Sequence, residues 1–282
     1  MSGASSEAIA FHYDVGTEFY RLWLDDTLTY SCGMWEASDG DDLGAAQRRK
    51  LNYALAESGA ASARRLLDVG CGWGSMLRAA VAGGAERAFG LTLSSSQLAH
   101  VRAFGDPRIG VALASFRDYV VDEPYQALTC VGALEHFVRR EHSDAERLAL
   151  YHEFFAFCHG VLAPGARMYL QFSAYGSASR HEYSSFFEQQ VFPESDLPRL
   201  WEVCQALEPW FEVARLRNDR EDYVHTLGVW RRNLRRHREA AESLTSADTV
   251  ARYLKYLGLS AIALQSGATV LYRISLRRLD RA

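Results

Sequence analysis

Cysteine is scarce in this chain and poorly spaced for cross-links. The five residues (Cys32, Cys71, Cys130, Cys158 and Cys204) are odd in number, far apart and free of any CxxC pair. A disulfide framework and a cysteine zinc site are thereby excluded, and a reducing compartment fits best. Proline numbers only six, and no Pro/Gly-rich linker, repeat or low-complexity tract divides the chain. No eighteen uncharged apolar residues run together, and the first residues lack both a basic region and a signal-length apolar stretch. Stable membrane insertion is not expected, and the expected location is cytoplasmic. Basic charge is not in excess either. Lys+Arg 31 against Asp+Glu 35 leaves a net charge of −4, so no electrostatic pull toward nucleic acid or an anionic membrane is expected.

The balance that remains, 48% hydrophobic and 23% charged over 282 residues, is that of one globular domain spanning residues 1–282. Aromatic residues are abundant at 12%. Short apolar runs with β character occur at Arg65 to Val69, Ala88 to Leu93, Gly110 to Ala114, Ala127 to Val131 and Arg167 to Phe172, with helical or loop patterns between them. That alternation predicts a doubly wound, mostly parallel sheet. Val270, Tyr272, Ile274 and Leu276 alternate with Leu271, Arg273, Ser275 and Arg277, the pattern of a late edge strand.

Between about 175 and 262 the reading is helical. Tyr223, Leu227, Trp230 and Leu234 form one apolar stripe, with Arg231, Arg232, Arg235, Arg236 and Arg238 on the other face. The arginines read as a solvated helix face in preference to a nucleic-acid patch. Residues 1–50 are expected to form cap helices, and about 175–262 a helical lid insertion. A homo-oligomer is compatible with this chain, although no sequence feature requires one.

The first strand runs into LLDVGCGWG, residues 66–74. A dinucleotide fold needs GxGxxG, but Gly70, Gly72 and Gly74 give GxGxG, with Trp73 wedged among them and Ser75 at the third glycine's place. Alternating glycines bring backbone N–H groups close to a small amino-acid-like moiety, and Asp68 just before them is suited to a positively charged amine. This loop resembles that of class I S-adenosylmethionine (SAM) methyltransferases, which implies a Rossmann-like, seven-stranded, mostly parallel sheet. The second strand ends in GLTLSSSQ, residues 90–97, with no carboxylate for ribose hydroxyls. Thr92, the backbone around Leu93, and Gln97 are left for that task, and the serines double as a helix N-cap.

HYDVGTEFY (12–20), TYSCGMWE (29–36), LLDVGCGWG (66–74), GLTLSSSQ (90–97) and VGALEHF (131–137) follow one another as in cyclopropane-fatty-acid and mycolic acid cyclopropane synthases, which the chain resembles from there through DYVHTLGVW (222–230) to ARYLKYL (251–257). The resemblance implies transfer of a methyl group from SAM to an alkene-type carbon through a carbocation. The proton then leaves from the new methyl group, closing a cyclopropane, or from a neighbouring carbon, giving a methylated alkene.

The resemblance also implies a bicarbonate base held by Cys, Glu, His and Tyr side chains and by main chain near an Ile. Cys32, Glu135 and Tyr223 match as catalytic residues, but the His falls on Gln171 and the Ile on Ser173. Gln does not share a proton as His does, so these departures weigh against bicarbonate and leave Glu135 as base or as orienting group. A further family cysteine corresponds to Ser260. Cofactor contacts carried over are Tyr30, Ser31, the 66–74 loop, Thr92 to Gln97, Val131, and a Trp-Glu pair that falls on Phe116 and Arg117, keeping an aromatic face and losing an acid. No metal site is expected. The changed pocket and the charge of −4 lead to a soluble, unsaturated small-molecule acceptor, with a fatty-acyl lipid or an N- or O-methyl acceptor as alternatives. Phe172, Tyr175, Tyr183, Phe186, Phe187 and Trp210 are expected to surround the lid, where ring faces could steady a cation.

Overall fold

The computed structural model describes residues 3–5, 15–180 and 193–280. His12, Tyr183, Phe186 and Phe187 lie outside them. Seven strands form one sheet among the described residues: β1 (Arg65–Val69), β2 (Arg87–Thr92), β3 (Ile109–Leu113), β4 (Tyr125–Val131), β5 (Leu162–Tyr175), β6 (Phe211–Asn218) and β7 (Thr269–Arg278). Their order is β3-β2-β1-β4-β5-β7-β6. The first five run parallel, while β7 pairs antiparallel with both β5 and β6. The mostly parallel, seven-stranded Rossmann-like sheet expected from the alternation is what the chain forms.

Two strand expectations are corrected. β7 lies inside the sheet, not at its edge, because the residues taken as its outward face are also covered: Arg273 is 1% exposed and Ser275 4%. The edge strand is β6, inside the span expected to be helical. A register shift between Val213 and Arg215 breaks its period of two, and exposure along most of its length removes the hydrophobic signal that marks a strand.

Helices cover both faces: α1 (Thr17–Arg21), α2 (Leu43–Ser58), α3 (Ser75–Ala82), α4 (Ser95–Arg102), α5 (Asp144–Val161), α6 (Leu200–Leu207), α7 (Arg220–Arg236), α8 (Arg238–Leu244) and α9 (Ala247–Gln265). Local sequence fixes their starts. Ser94 caps α4 by accepting from the Gln97 amide at 3.3 Å, as the SSSQ run predicts, and Ser143 with Glu146 forms a capping box on α5. On α7, Leu227, Trp230 and Leu234 are buried and Arg232, Arg235 and Arg236 exposed, as the amphipathic reading expects, but Arg231 is half-buried with its Nε covered and Arg238 opens α8.

The aromatic surplus is concentrated elsewhere than expected. Phe19, Tyr20, Trp23, Tyr30, Trp73, Trp230 and Tyr253 join α1, the glycine loop, α7 and α9 into one buried cluster. Trp210 instead packs beside His152 and His159, outside the linings of the two cavities described next.

Candidate active site

Two cavities open above the carboxyl ends of β1, β2, β4 and β5, where strand order reverses and open α/β sheets bind ligands. The first contains about 1130 Å³ of empty space, open solvent included, and is built around the glycine loop. Tyr30, Ser31, Asp68, Gly70, Gly72, Trp73, Thr92, Leu93, Gln97, Phe116, Arg117 and Val131 all line it. Gly74 does not. It starts α3, and a side chain there would meet Val101 and Phe104 at 2.9 Å. Gly70 has φ +78°, and an added Cβ would lie 2.5 Å from that of Ala133, so only glycine lets the loop pass so close to the β4 end.

Two of this cavity's charges, Asp68 and Lys50, are buried. Asp68 is 3% exposed and accepts from Thr129 Oγ1 at 2.7 Å; burial pushes its carboxyl up to about 6, with the Thr129 hydrogen bond and the Lys50 charge pulling down. Lys50 on α2, absent from the sequence expectation, is 1% exposed and donates to Ser31 Oγ at 2.9 Å. Thr92 Oγ1 donates to Gln97 Oε1 at 2.7 Å, pinning the end of β2 to the start of α4. Arg117 pairs with Glu153 at 2.9 Å and lies 4.6 Å over the Phe116 ring.

The second cavity, of about 1110 Å³ with open solvent included, lies under α7 and α9. Tyr30, Ser31, Gly132 and His136 line both cavities, so the two share a wall. Glu135 stands on a 3₁₀ turn just past β4. Its Oε1 accepts the Ser173 amide at 2.6 Å, and its buried Oε2 has no hydrogen-bond partner among the described residues. Burial pushes its carboxyl up to about 7 against the pull of the Ser173 hydrogen bond; Arg140 lines the same cavity, but no cation of the described residues pairs with Glu135. His136 beside it hydrogen-bonds Ser195 at 2.7 Å, and burial holds it down to about 4, neutral at pH 7. Tyr223 and Tyr256 also line this cavity, and the Tyr256 hydroxyl is hydrogen-bonded to both Tyr30 and Tyr223.

Cys32 is brought near this cavity but does not line it. Its thiol is fully buried, 3.3 Å from Arg273 Nη2, and burial pushes it up to about 12. At neutral pH it is a thiol, not a thiolate. Arg273 on β7 also donates to Gln171 Oε1 at 3.1 Å, to the Gly33 carbonyl at 2.8 Å and to Asp219 at 3.0 Å. Because an arginine only donates, Gln171 must turn its oxygen toward Arg273 and its amide nitrogen away. Of the expected lid aromatics, Phe172 lines the cavity, while buried Tyr175 donates to Asp196 at 2.5 Å behind an Asp196–Arg147 ion pair.

A family model described as mycolic acid cyclopropane synthetase matches residues 2–274. The chain belongs to that family. Cyclopropane mycolic acid synthase MmaA2 of Mycobacterium tuberculosis is 33% identical over 269 residues, covering 89% of this chain and 90% of the relative. Cyclopropane mycolic acid synthase 2 of Mycobacterium leprae is 32% identical over 272 residues, covering 89% and 87%. Among solved structures, M. tuberculosis MmaA2 superposes with a TM-score of 0.87 at 30% identity over 98% of this chain and 99% of that one. CmaA1 complexed with SAH and CTAB gives the same values.

As a member of this family the chain is a SAM-dependent methyltransferase. The glycine-loop cavity fits that cofactor, since it offers opposite buried charges, Lys50 and Asp68, for an α-amino-acid end. The bicarbonate contacts carried over by resemblance do not assemble here. The Cys32 thiol faces Arg273, the Gln171 oxygen is taken by the same arginine, and the Ser173 amide is already donated to Glu135. Sequence reasoning missed Lys50, His136 as a lining residue, and Tyr256. Tyr256 lies inside ARYLKYL, which the resemblance marks only as the end of its span.

Proposed function

We propose that this synthetase-family chain transfers the methyl group of SAM to an alkene carbon of a lipid-like unsaturated acceptor held in the second cavity. The relatives' names support the lipid-like acceptor, against the leaning toward a soluble metabolite drawn from charge and pocket departures. SAM bound in the glycine-loop cavity supplies an electrophilic methyl group. Tyr30, Ser31, Asp68, Gly70, Gly72, Trp73, Thr92, Leu93, Gln97, Phe116, Arg117 and Val131 hold it there, Gly74 acting only by letting α3 start.

The observation that carries the reading is Glu135, a buried carboxylate without a countercharge on the wall next to the cofactor cavity. A site in which positive charge develops on the acceptor is served by such a preorganised anion. The alkene π pair forms the new C–C bond as the S–C bond breaks, and the adjacent carbon becomes cationic. Glu135 faces that cation and takes the proton lost from it, while neutral His136 adds no opposing charge. Tyr223, fixed through Tyr256, orients the acceptor, and Cys32 acts only through Arg273 to hold Gln171 in place.

A second reading, a small unsaturated metabolite bearing oxygen, is favoured by the polar lining from Gln171, Ser173, Ser260 and Thr269. Turnover with methyl-deuterated SAM over unsaturated phospholipid vesicles and a panel of soluble alkenes and amines tests both. Product from the vesicles supports the proposal, with three deuteriums kept for a methylated alkene and two for a cyclopropane. Product only from soluble alkenes selects the second reading, and product only from amines overturns both.

A further inference from the structure

This chain meets nearly every need for a cation with arginine: of its 31 basic residues only two, Lys50 and Lys255, are lysines. Lys255 is exposed. Lys50 is 1% exposed, midway along α2 on its buried face, and it lines the glycine-loop cavity. Burying an ammonium is costly unless an anion meets it. Yet among the described residues its one hydrogen bond is to Ser31 Oγ, and no carboxylate stands within ion-pair distance. Asp68 lines the same cavity and is bonded only to the Thr129 hydroxyl. The cavity therefore presents a separated positive and negative group, both buried and neither matched by the protein.

We infer that Lys50 binds the carboxylate of the methionyl end of SAM while Asp68 faces its ammonium, so that the pair reads the zwitterion. This rests on the placement of the cofactor in the glycine-loop cavity. A compact ammonium suits the position better than a guanidinium fork, which would need more partners than Ser31 supplies. The charged and titratable groups around Lys50 are Asp68 at the end of β1, Asp25 before the TYSC segment, the neutral thiol of Cys32, and Arg273 on β7. Burial and Arg273 together bring Lys50 down to about 8, with Asp25, Cys32 and Asp68 opposing. An incoming carboxylate favours the charged ammonium, so binding near that pH takes up protons.

The test is calorimetric binding of SAM and of decarboxylated SAM, which keeps the sulfonium and the amine, to the wild type, Lys50→Met and Lys50→Gln. Wild type should favour SAM by roughly ten- to a hundredfold, as a charge-assisted contact implies, and both variants should lose that preference while binding the decarboxylated compound about as the wild type does. Equal weakening of both ligands in the variants assigns Lys50 a packing role and overturns the inference while leaving the cofactor reading intact. If neither ligand binds the wild type, both fall together. Should the variants not fold, the wild type alone decides. Measured near pH 8 in two buffers of different ionisation enthalpy, SAM should take up protons and decarboxylated SAM should not, and equal uptake refutes the inference.

Discussion

Around the glycine loop the buried charges come as an unmatched pair of opposite sign, Lys50 and Asp68, whereas in the adjoining cavity, whose lining also includes Arg140 and Asp196, Glu135 is a buried carboxylate with no ion-pair partner among the described residues, beside a histidine kept neutral. The first arrangement complements a ligand with fixed charges of both signs. The second complements positive charge that exists only while the reaction proceeds. On the proposed function, two cavities sharing the wall of Tyr30, Ser31, Gly132 and His136 separate cofactor binding from chemistry.

Substitutions on either side of the wall can break that separation. The largest effect is expected at Glu135→Gln, which should lower single-turnover methyl transfer by about 10²- to 10⁴-fold with SAM affinity by calorimetry nearly unchanged; parallel losses in both would show that one site does both jobs. Asp68→Asn should do the reverse, weakening SAM by roughly tenfold or more, the scale of a lost charge-assisted contact, with a smaller change in single-turnover rate at saturating SAM.

The pH profile sharpens the contrast. Since the carboxylate form of Glu135 is the one that accepts a proton, the single-turnover rate should fall as pH drops through about 7, and Glu135→Gln should flatten that limb. The groups facing Glu135, Cys130 on β4, Tyr151 on α5 and Tyr256 on α9, are raised by burial and stay protonated across the range. Smaller again is Cys32→Ser, expected to cost about 1 kcal/mol in denaturant unfolding and to slow transfer far less than the Glu135 change. Smallest is Arg235→Gln with Arg236→Gln, which should shift unfolding free energy by no more than about 0.5 kcal/mol, because both side chains are exposed.

The glycine-loop cavity was legible in sequence because much of its lining comes from short contiguous runs. LLDVGCGWG and TLSSSQ each build a strand end, a turn and a helix start, and local geometry follows from those residue types. Lys50 escaped notice because nothing in LGAAQRRK distinguishes a buried lysine from its exposed neighbours. The acceptor side draws single residues from distant elements: Glu135 after β4, Gln171 on β5, Tyr223 on α7, Tyr256 on α9 and Arg273 on β7. Their meeting depends on β7 being drawn into the sheet beside β5, and the alternation of β7 suggested an edge. Of the expected lid aromatics Phe172 does line the cavity, Tyr175 and Trp210 do not, and the rest lie outside the described residues; the cluster of Trp23 and Trp230 against Tyr30 is a tertiary fact that no short window carries.

The position of β7 also bears on how the enzyme is made. Synthesis delivers β5 and β6 before the strand that must lie between them, so β5 waits with one edge unpaired and β6 without a strand partner, and Gln171, Asp219 and Cys32 wait without Arg273. The glycine-loop cavity draws none of its described lining from β7 and needs no such wait. During translation, then, a nascent chain should acquire a recognisable cofactor pocket before it acquires a reaction chamber, and growing intermediates with an open strand edge are where helper proteins would have most to shield.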